Sequence, residues 1–215
     1  MTSVRNVSAR RAFIVGVAGG SASGKSTFVA ALVQALAEGE PPLCAQVINT
    51  DRYFRQRDSD GPTIALPNGE THFDYNRPDS VDNARLAADL DRLSREAQAP
   101  DVLLVEGLML LYVPEIRERL DLRLFVELDA DERALRRLLR NLAAKNPVDL
   151  GAGQWIADYY NASARLGHLR YVEPSRVYAD LILRGDADFA RTASMVAAVV
   201  RSQASVNGAS GHSAA

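Results

Sequence analysis

Apolar runs of strand length alternate with segments of helical periodicity along most of the chain. The runs predict strands at residues 13–18, 46–49, 101–106, 122–127 and 181–183. Most positions in these runs are apolar, which is typical of strands buried on both faces of a parallel sheet. The intervening segments predict helices at residues 26–38, 80 to about 97, 131–141, 154–170 and 189–200, with Ser80 as the cap of the second. The pattern therefore predicts an α/β fold, a parallel sheet flanked by helices on both faces.

Two segments do not fit this alternation. Residues 51–78 are rich in Gly, Pro, Asp and Asn and predict a long loop. From Arg201 the composition shifts to Ser, Ala, Gly and Asn, which predicts a disordered tail over residues 201–215. A single domain over residues 1–200 accounts for the rest.

Composition narrows the functional classes. The chain has 215 residues, a net charge of −2 and a pI near 5.9, so a protein that coats nucleic acid is disfavoured. The single cysteine, Cys44, excludes an internal disulfide framework or zinc cluster, and its apolar neighbours predict an inert, buried thiol. No apolar run near the start is long enough for a membrane anchor or export signal, so we expect a cytoplasmic protein.

A phosphate-binding loop follows the first predicted strand and opens the first predicted helix. It consists of Gly19, Gly20, Ser21, Ala22, Ser23, Gly24, Lys25, Ser26 and Thr27. Glycines let backbone N–H groups curl around phosphate oxygens, and the following helix dipole points at the same charge. Only two of the 25 basic residues are lysines, and Lys25 is the one expected to reach the β and γ phosphates. Ser26 is the expected Mg²⁺ ligand.

Two acidic residues lie at the ends of neighbouring predicted strands. Asp51 follows the second strand, where a carboxylate can accept a proton from an attacking hydroxyl or hold magnesium through water. Glu106 ends the third strand and is positioned to bind the water shell of the metal. Each also has a structural alternative, because Asp51 could cap a turn and Glu106 could cap a helix.

An arginine face is predicted on the helix that begins near Asp131. Arg133, Arg137 and Arg140 are spaced by four and three residues, which brings them onto one side, whereas Arg136 is offset. Such a face could stabilise charge on a transferring phosphoryl group. The alternative is a solvated face paired with Asp129 and Glu132.

The remaining candidates are weaker. His72, His168 and Trp155 show no ligand spacing, so structural roles are expected. The tripeptide 73–75 in the long loop combines aromatic side chains with a carboxylate. This combination suits a sugar-like substrate and also suits ordinary loop packing.

Several stretches together resemble the uridine kinase group of the phosphoribulokinase-like P-loop kinases. They comprise residues 19–27, 49–54, 73–82, 106–131 and 173–185, and the most specific parts are 106–112, 124–131 and 178–180. The resemblance implies a P-loop NTPase fold with a helical lid over about residues 133–170. It also implies ATP, Mg²⁺ and transfer of the γ-phosphoryl group to a primary hydroxyl of a ribose-containing substrate.

The resemblance also implies roles for single residues on the acceptor side. Asp51 corresponds to the catalytic base, and Phe54 to the aromatic residue that follows it in the substrate pocket. Phe73 and Asp74 correspond to the pair that meets the nucleoside, with the carboxylate on the ribose hydroxyls.

On the nucleotide side, Arg137 and Arg140 correspond to catalytic arginines at the start of the lid. The turn at Arg184 corresponds to the loop near adenine. No nucleic-acid or membrane partner is implied, and a homo-oligomer is left open.

The chain departs from the family pattern where the base would be recognised. The family has a base-binding β-hairpin between the helix that ends near Ala97 and the strand of Glu106, and only residues 98–100 stand there. The lid stretch reads Lys-Asn-Pro-Val-Asp over residues 145–149, and Asp158 occupies the position expected for a base-reading glutamine. A nucleoside is therefore the first candidate for the acceptor, with nicotinamide riboside or a sugar as alternatives. A nucleotide-binding regulatory protein without metabolite kinase activity is the alternative from another class.

Overall fold

A five-stranded parallel sheet forms the centre of the protein. The computed structural model describes residues 11–55, 61–143 and 150–209. The strands of the sheet are β1 Phe13–Gly19, β2 Ala45–Asn49, β5 Val102–Glu106, β6 Leu122–Glu127 and β7 Leu181–Arg184. They lie in the order β2-β5-β1-β6-β7. A separate antiparallel hairpin consists of β3 Thr63–Ala65 and β4 Thr71–Phe73.

Helices connect and cover the strands. The α-helices are α1 Lys25–Glu38, α2 Asn83–Leu93, α3 Pro114–Arg117, α4 Ala130–Ala143, α5 Leu150–Tyr159, α6 Arg165–Gly167 and α7 Phe189–Ala209. Two π-helical turns, Tyr160–Ala164 and His168–Val172, flank α6, and a 3₁₀ segment, Glu173–Tyr178, leads to β7. The predicted helix over residues 154–170 therefore exists, but it begins earlier and contains wide turns.

Successive strand residues enter two different core layers, because neighbouring side chains point to opposite faces of a sheet. Val17, Leu104 and Leu124 pack with α1 and α7 on one face. Ala18 and Phe125 belong to the opposite layer, which includes residues of α2 and α3. This arrangement confirms the predicted parallel sheet with helices on both faces. No described helix combines the length and apolarity needed to cross a membrane.

The sheet order positions the functional loops. Because β1 is the middle strand, the loop that follows it lies beside the ends of both β5 and β6. In parallel sheets of this kind, ligands bind at the carboxyl ends of the strands. The ends of β1, β2 and β5 carry the phosphate-binding loop, Asp51 and Glu106, respectively.

Two local predictions are wrong. Ser80 does not cap α2, because it belongs to a 3₁₀ turn in which its hydroxyl donates to the Arg77 carbonyl, and Asp82 accepts the capping hydrogen bond from Arg85 N. Cys44 is exposed rather than buried, because it directly precedes β2, an edge strand of the sheet in which Gln46 and Val47 are exposed as well.

The long loop and the tail also differ from expectation. Residues 51–78 contain the β3–β4 hairpin, whose short strands lack a strong apolar alternation. The tail predicted from Arg201 is wrong up to Ala209, because α7 continues to that residue. Arg201 donates to the Ala35 and Leu36 carbonyls of α1, and Ala204 is buried, so tertiary contacts hold this part of the helix. Residues 210–215 lie outside the described residues.

Candidate active site

The phosphate-binding loop connects β1 to α1 through backbone conformations that require glycine. Gly19 has a φ of +138°, and a Cβ atom there would meet the Val126 carbonyl oxygen at 2.3 Å. Gly24 precedes α1 with a φ of +101°, in the left-handed region. Larger residues at either position would strain the loop, so these glycines fix its shape around the α1 N-terminus.

A cleft of about 480 Å³ opens along this loop. It is lined by Ser21, Ala22, Gly24, Lys25, Ser26, Thr27, Asn49, Asp51, Glu106, Gly107, Leu108, Arg136 and Arg140. The cleft therefore brings together loop residues, the two predicted carboxylates and two arginines of α4. Gly19, Gly20 and Ser23 are buried and support the loop from behind.

Lys25 projects back across the loop. Its Nζ donates to the Gly20 carbonyl oxygen at 2.7 Å. Burial lowers the pKa of Lys25 from 10.5 to about 8, while Glu106 and Asp51 partly oppose that shift and Arg140 and Arg133 add to it. The ammonium group is thus held in an environment that lacks sufficient negative charge, and a bound phosphate would supply that charge.

Glu106 joins three elements at the floor of the cleft. It is 7% exposed, and its Oε2 accepts from Ser26 Oγ at 2.7 Å. Its Oε1 accepts from Asn49 Nδ2 at 2.8 Å, because Asn49 and Glu106 are register partners in β2 and β5. Asn49 Oδ1 in turn accepts from the backbone N of Asp51 at 2.8 Å. This network predetermines the positions of both predicted acids.

A hydroxyl and a carboxylate at the phosphate loop are suitable ligands for a small divalent cation. Mg²⁺ prefers oxygen ligands, keeps several waters, and is usually held by one or two protein side chains together with substrate phosphates. Ser26 and Glu106 meet that requirement. The described residues contain no cluster of three or more His, Cys, Asp or Glu side chains suited to a metal held by protein alone.

Asp51 lies between two compartments. It is exposed on a 3₁₀ turn, Thr50–Tyr53, and lines both the phosphate cleft and a narrow neighbouring pocket of about 20 Å³. Phe54, Tyr75 and Arg77 also line the narrow pocket. The Phe54 ring makes an edge contact with the Tyr75 ring, with centroids 4.9 Å apart.

The other two acceptor-side candidates are internal. Phe73 is 4% exposed and packs against Tyr75, with ring centroids 4.7 Å apart. Asp74 is 7% exposed, and its Oδ1 accepts from the backbone N of Asn76 at 3.0 Å and from Ser163 Oγ. Neither residue lines the phosphate cleft or the narrow pocket. In this structure, Asp74 connects the acceptor-side loop to the helical region after α5.

The arginines of α4 diverge in space. Arg140 lines the phosphate cleft, and its Nη2 donates to Ser21 Oγ at 3.3 Å. Arg137 instead faces a small pocket with Asn76 and Tyr160, and burial lowers its pKa. Arg133 is 7% exposed, donates through Nε to the Leu128 carbonyl, and packs behind Gly20.

The turn after β7 contributes backbone rather than its arginine. The Arg184 side chain is exposed and paired with Asp186, at 2.6 Å between Nη2 and Oδ2, and it does not line the cleft. Gly185 accepts a hydrogen bond from Arg136 Nη1 through its carbonyl, at 3.2 Å.

The sequence departs from the family pattern at three places: the segment between α2 and β5, Asp158, and residues 145–149. Between α2 and β5, the described residues contain no strand, in agreement with the missing hairpin. Asp158 accepts a hydrogen bond from Gln154 within α5. Residues 145–149, in the segment predicted to be the lid, lie outside the described residues.

Sequence reasoning missed four of the residues that line the cleft, Asn49, Gly107, Leu108 and Arg136. Asn49 could have been found, because it ends the strand that neighbours Glu106 in a parallel sheet. Arg136 could not, because the relation of α4 to the loop depends on how the helix packs.

Comparisons with known proteins agree with the geometry. Residues 85–188 match the model of the phosphoribulokinase / uridine kinase family. The chain is 35% identical to a uridine kinase of Chloroflexus aggregans over 195 residues, which cover 80% of this chain and 86% of that protein. It is 34% identical to a uridine kinase of Deinococcus deserti over 194 residues, which cover 80% and 87%, respectively.

A solved structure supports the fold. It is described as a candidate fructose transport system kinase from Silicibacter sp. TM1040 and aligns with a TM-score of 0.55 at 21% identity, over 84% of this chain and 92% of that one. The P-loop NTPase fold predicted from the sequence is thereby confirmed. The chain belongs to the phosphoribulokinase / uridine kinase family of P-loop phosphotransferases, which act on hydroxyl acceptors.

Proposed function

We propose that this protein is an ATP- and Mg²⁺-dependent kinase that transfers the γ-phosphoryl group to a hydroxyl of a small metabolite, with a nucleoside of the uridine or cytidine type as the first candidate. The position of Asp51 carries this proposal. A carboxylate that borders both the phosphate cleft and a second pocket is suited to a reaction between a bound phosphate chain and a bound hydroxyl.

In this proposal each residue of the site has a separate role. The backbone of the loop and Lys25 bind the β and γ phosphates, and Arg140 neutralises charge from the lid side. Asp51 accepts the proton of the acceptor hydroxyl as its oxygen attacks the γ phosphorus. The bond from that phosphorus to the β–γ bridging oxygen breaks, and ADP leaves.

Ser26 and Glu106 are the residues that would hold Mg²⁺. The ion, when bound, neutralises developing charge on the β and γ phosphates. The hydrogen bond from Ser26 to Glu106 and the support of Glu106 by Asn49 hold both oxygen ligands at the loop in advance. Arg137, Phe54, Phe73, Asp74 and Arg184 keep the roles implied by the family as proposals.

Different observations favour different acceptors. The named relatives support a nucleoside. The lack of a described strand between α2 and β5 favours an acceptor with little or no base to hold, such as a sugar, or one with a different base, such as nicotinamide riboside. A regulatory binding protein would not need a carboxylate at the position of Asp51.

A coupled assay of ADP release tests the proposal. ATP, Mg²⁺ and the protein are combined with uridine, cytidine, nicotinamide riboside, ribose or fructose. We expect turnover with at least one acceptor and at least a hundredfold lower kcat in Asp51→Asn, with ATP affinity within about threefold, because loss of a general base typically costs 10²–10⁴-fold. Asp91→Asn, a surface carboxylate of α2 paired with Arg119, is the matched control.

Each outcome distinguishes one hypothesis. A uridine or cytidine hit supports the leading acceptor, and a hit only on a riboside or sugar supports the second. ATP binding without turnover on any acceptor supports the regulatory alternative. Turnover of Asp51→Asn within a few-fold of the unmodified protein would show that Asp51 is not the base.

A further inference from the structure

The helix α4 presents arginines on two different sides. Arg136 and Arg140 are four residues apart, and both line the phosphate cleft. Arg133 and Arg137, also four residues apart, both line the separate pocket that contains Asn76. The residue offset by one position from the family pattern is therefore on the nucleotide side of the helix.

Arg136 is tied to the cleft by its own contacts. Its Nη1 donates to the Gly185 carbonyl at 3.2 Å, and its Nη2 donates to Glu132 Oε1 at 2.5 Å, one turn earlier on α4. Its side chain is 40% exposed. An exposed ion pair of this spacing contributes little to stability, so a bound polyanion can compete for the guanidinium.

The Gly185 turn places the guanidinium near the phosphate end of the cleft. A Cβ atom on Gly185 would lie 2.2 Å from the Ser23 carbonyl oxygen, so the turn packs directly on the loop. A Cβ atom on Gly24 would lie 3.4 Å from the Gly185 carbonyl oxygen. The acceptor of the Arg136 hydrogen bond therefore lies next to the start of α1, where the loop backbone is expected to hold phosphate.

We infer that Arg136 binds the phosphate chain of the nucleotide and forms, with Arg140, the arginine pair that closes the cleft from α4. This inference rests on the proposed function for its ligand, ATP. Arg136 exchanges its weak contact with Glu132 for the phosphate oxygens, while the Gly185 contact keeps it beside the loop. A planar guanidinium suits this task, because it can donate two parallel hydrogen bonds to a phosphate.

Nucleotide binding, without any acceptor, tests the inference. A fluorescent ATP analogue is displaced from the full chain by ATP, ADP or adenosine. We expect Arg136→Met to raise the Kd of ATP about tenfold, which corresponds to about 1.4 kcal/mol, because the variant loses a charge-assisted hydrogen bond to a phosphate. The Kd of adenosine should change less than twofold. Arg136→Lys keeps the charge but loses the planar guanidinium. Its Kd for ATP should lie between those of Arg136→Met and the unmodified protein.

The control is Arg92→Ala. Arg92 is a surface arginine of α2 that, like Arg136, pairs with a glutamate four residues away, Glu96. The substitution should leave the Kd of ATP unchanged. Equal losses for ATP and adenosine in both Arg136 variants would indicate a purely structural role and overturn the inference, as would a Kd of ATP within twofold of the unmodified protein. If the unmodified protein fails to bind ATP, the proposed function fails as well. Normal ATP binding with no effect of Arg136 refutes this inference alone.

Discussion

Lys25 shows how a single side chain is prepared for its ligand. Its ammonium group donates to the Gly20 carbonyl, and burial lowers its pKa to about 8. Arginine, which supplies nearly all other positive charge in this chain, stays protonated at any accessible pH and is bulkier. A compact ammonium group fits inside the loop, but it becomes sensitive to alkaline pH.

The binding of ATP should therefore weaken at alkaline pH. Between pH 7.5 and 9.5 the free protein loses the Lys25 proton, so we expect the Kd of ATP to rise roughly tenfold across this range. Calorimetric titrations at fixed ionic strength measure it. Lys25→Arg should bind ATP more weakly at pH 7.5, but its affinity should not decline at alkaline pH. An unchanged Kd of ATP up to pH 9.5 in the unmodified protein would contradict the role of this pKa.

Lys25→Ala should abolish turnover while leaving the circular dichroism spectrum intact.

Asn49 is a positioning residue in the same site. Its amide nitrogen donates to Glu106, and its amide oxygen accepts from the backbone of Asp51. One side chain thus holds both Glu106, the proposed metal-binding acid, and the turn that carries the proposed base.

Loss of Asn49 should change the Mg²⁺ requirement. In Asn49→Ala, Glu106 loses one of its two hydrogen-bond donors, so we expect the Mg²⁺ concentration for half-maximal turnover to rise by about 10-fold, within the range typical for supporting residues of a metal site. Asn83→Ala, which removes an amide that lines only the narrow pocket, serves as the comparison. A Mg²⁺ dependence that stays the same in Asn49→Ala would contradict this assignment.

At the scale of elements, helix α7 shows how packing overrides composition. Ser, Ala, Gly and Asn after Arg201 are poor predictors of order, yet the helix runs to Ala209. The sheet-facing side of α7, including Ala197 and Val200, is buried against the layer that contains α1. Arg201 then donates to the Ala35 and Leu36 carbonyls in the last turn of α1, and the Leu36 carbonyl also accepts from the backbone N of Leu43. Carbonyls in the last turn of a helix commonly need such partners from outside the helix.

Removal of the Arg201 side chain should lower the free energy of unfolding. Its hydrogen bonds join α7 to α1, so Arg201→Ala is expected to cost about 1–2 kcal/mol. Urea denaturation followed by circular dichroism measures the change. Arg191→Ala, on an exposed side of the same helix, should cost less than about 0.5 kcal/mol. Equal effects of the two substitutions would show that the contact with α1 contributes nothing.

At the scale of the whole molecule, the β3–β4 hairpin and the residues after it are attached to α5, in the segment predicted to be the lid. Trp155 Nε1 donates to His72 Nε2 at 3.3 Å, and the Trp155 ring stacks on Tyr159 with centroids 5.4 Å apart. Tyr159 Oη donates to the Phe73 carbonyl at 2.9 Å and accepts from the backbone N of Tyr75 at 3.1 Å. The structural roles expected for His72 and Trp155 agree with this packing, and a movement of Tyr75 in the narrow pocket would reach α5.

Trp155, the single tryptophan, should report acceptor binding. Because Tyr75 lines the narrow pocket and contacts Tyr159, we expect an accepted substrate to change the intensity or wavelength of Trp155 emission even without ATP. Titrations followed by fluorescence test this, and a compound that is not phosphorylated provides the baseline. If turnover saturates with an acceptor that does not change Trp155 emission, acceptor binding in the narrow pocket does not affect α5, and the prediction is wrong.

The sequence by itself determined the features that depend on local order. Uninterrupted apolar strands predict a parallel sheet, and glycines with Lys25 and Ser26 between a strand and a helix predict a phosphate site, because these signals need no knowledge of distant contacts. The two acids could also be predicted, since the ends of parallel strands meet at one edge.

Only the tertiary structure decided which side chains complete that site. Arg136 rather than Arg137 faces the cleft, because the rotation of α4 is set by the burial of Arg133 behind Gly20. Asp74 is buried among hydrogen-bond donors because Ser163 reaches it from a helical turn 89 residues later in the chain. The exposure of Cys44 and the helical structure of residues 201–209 are likewise set by tertiary contacts. Each depends on which surfaces meet after folding, and a local pattern does not contain that information.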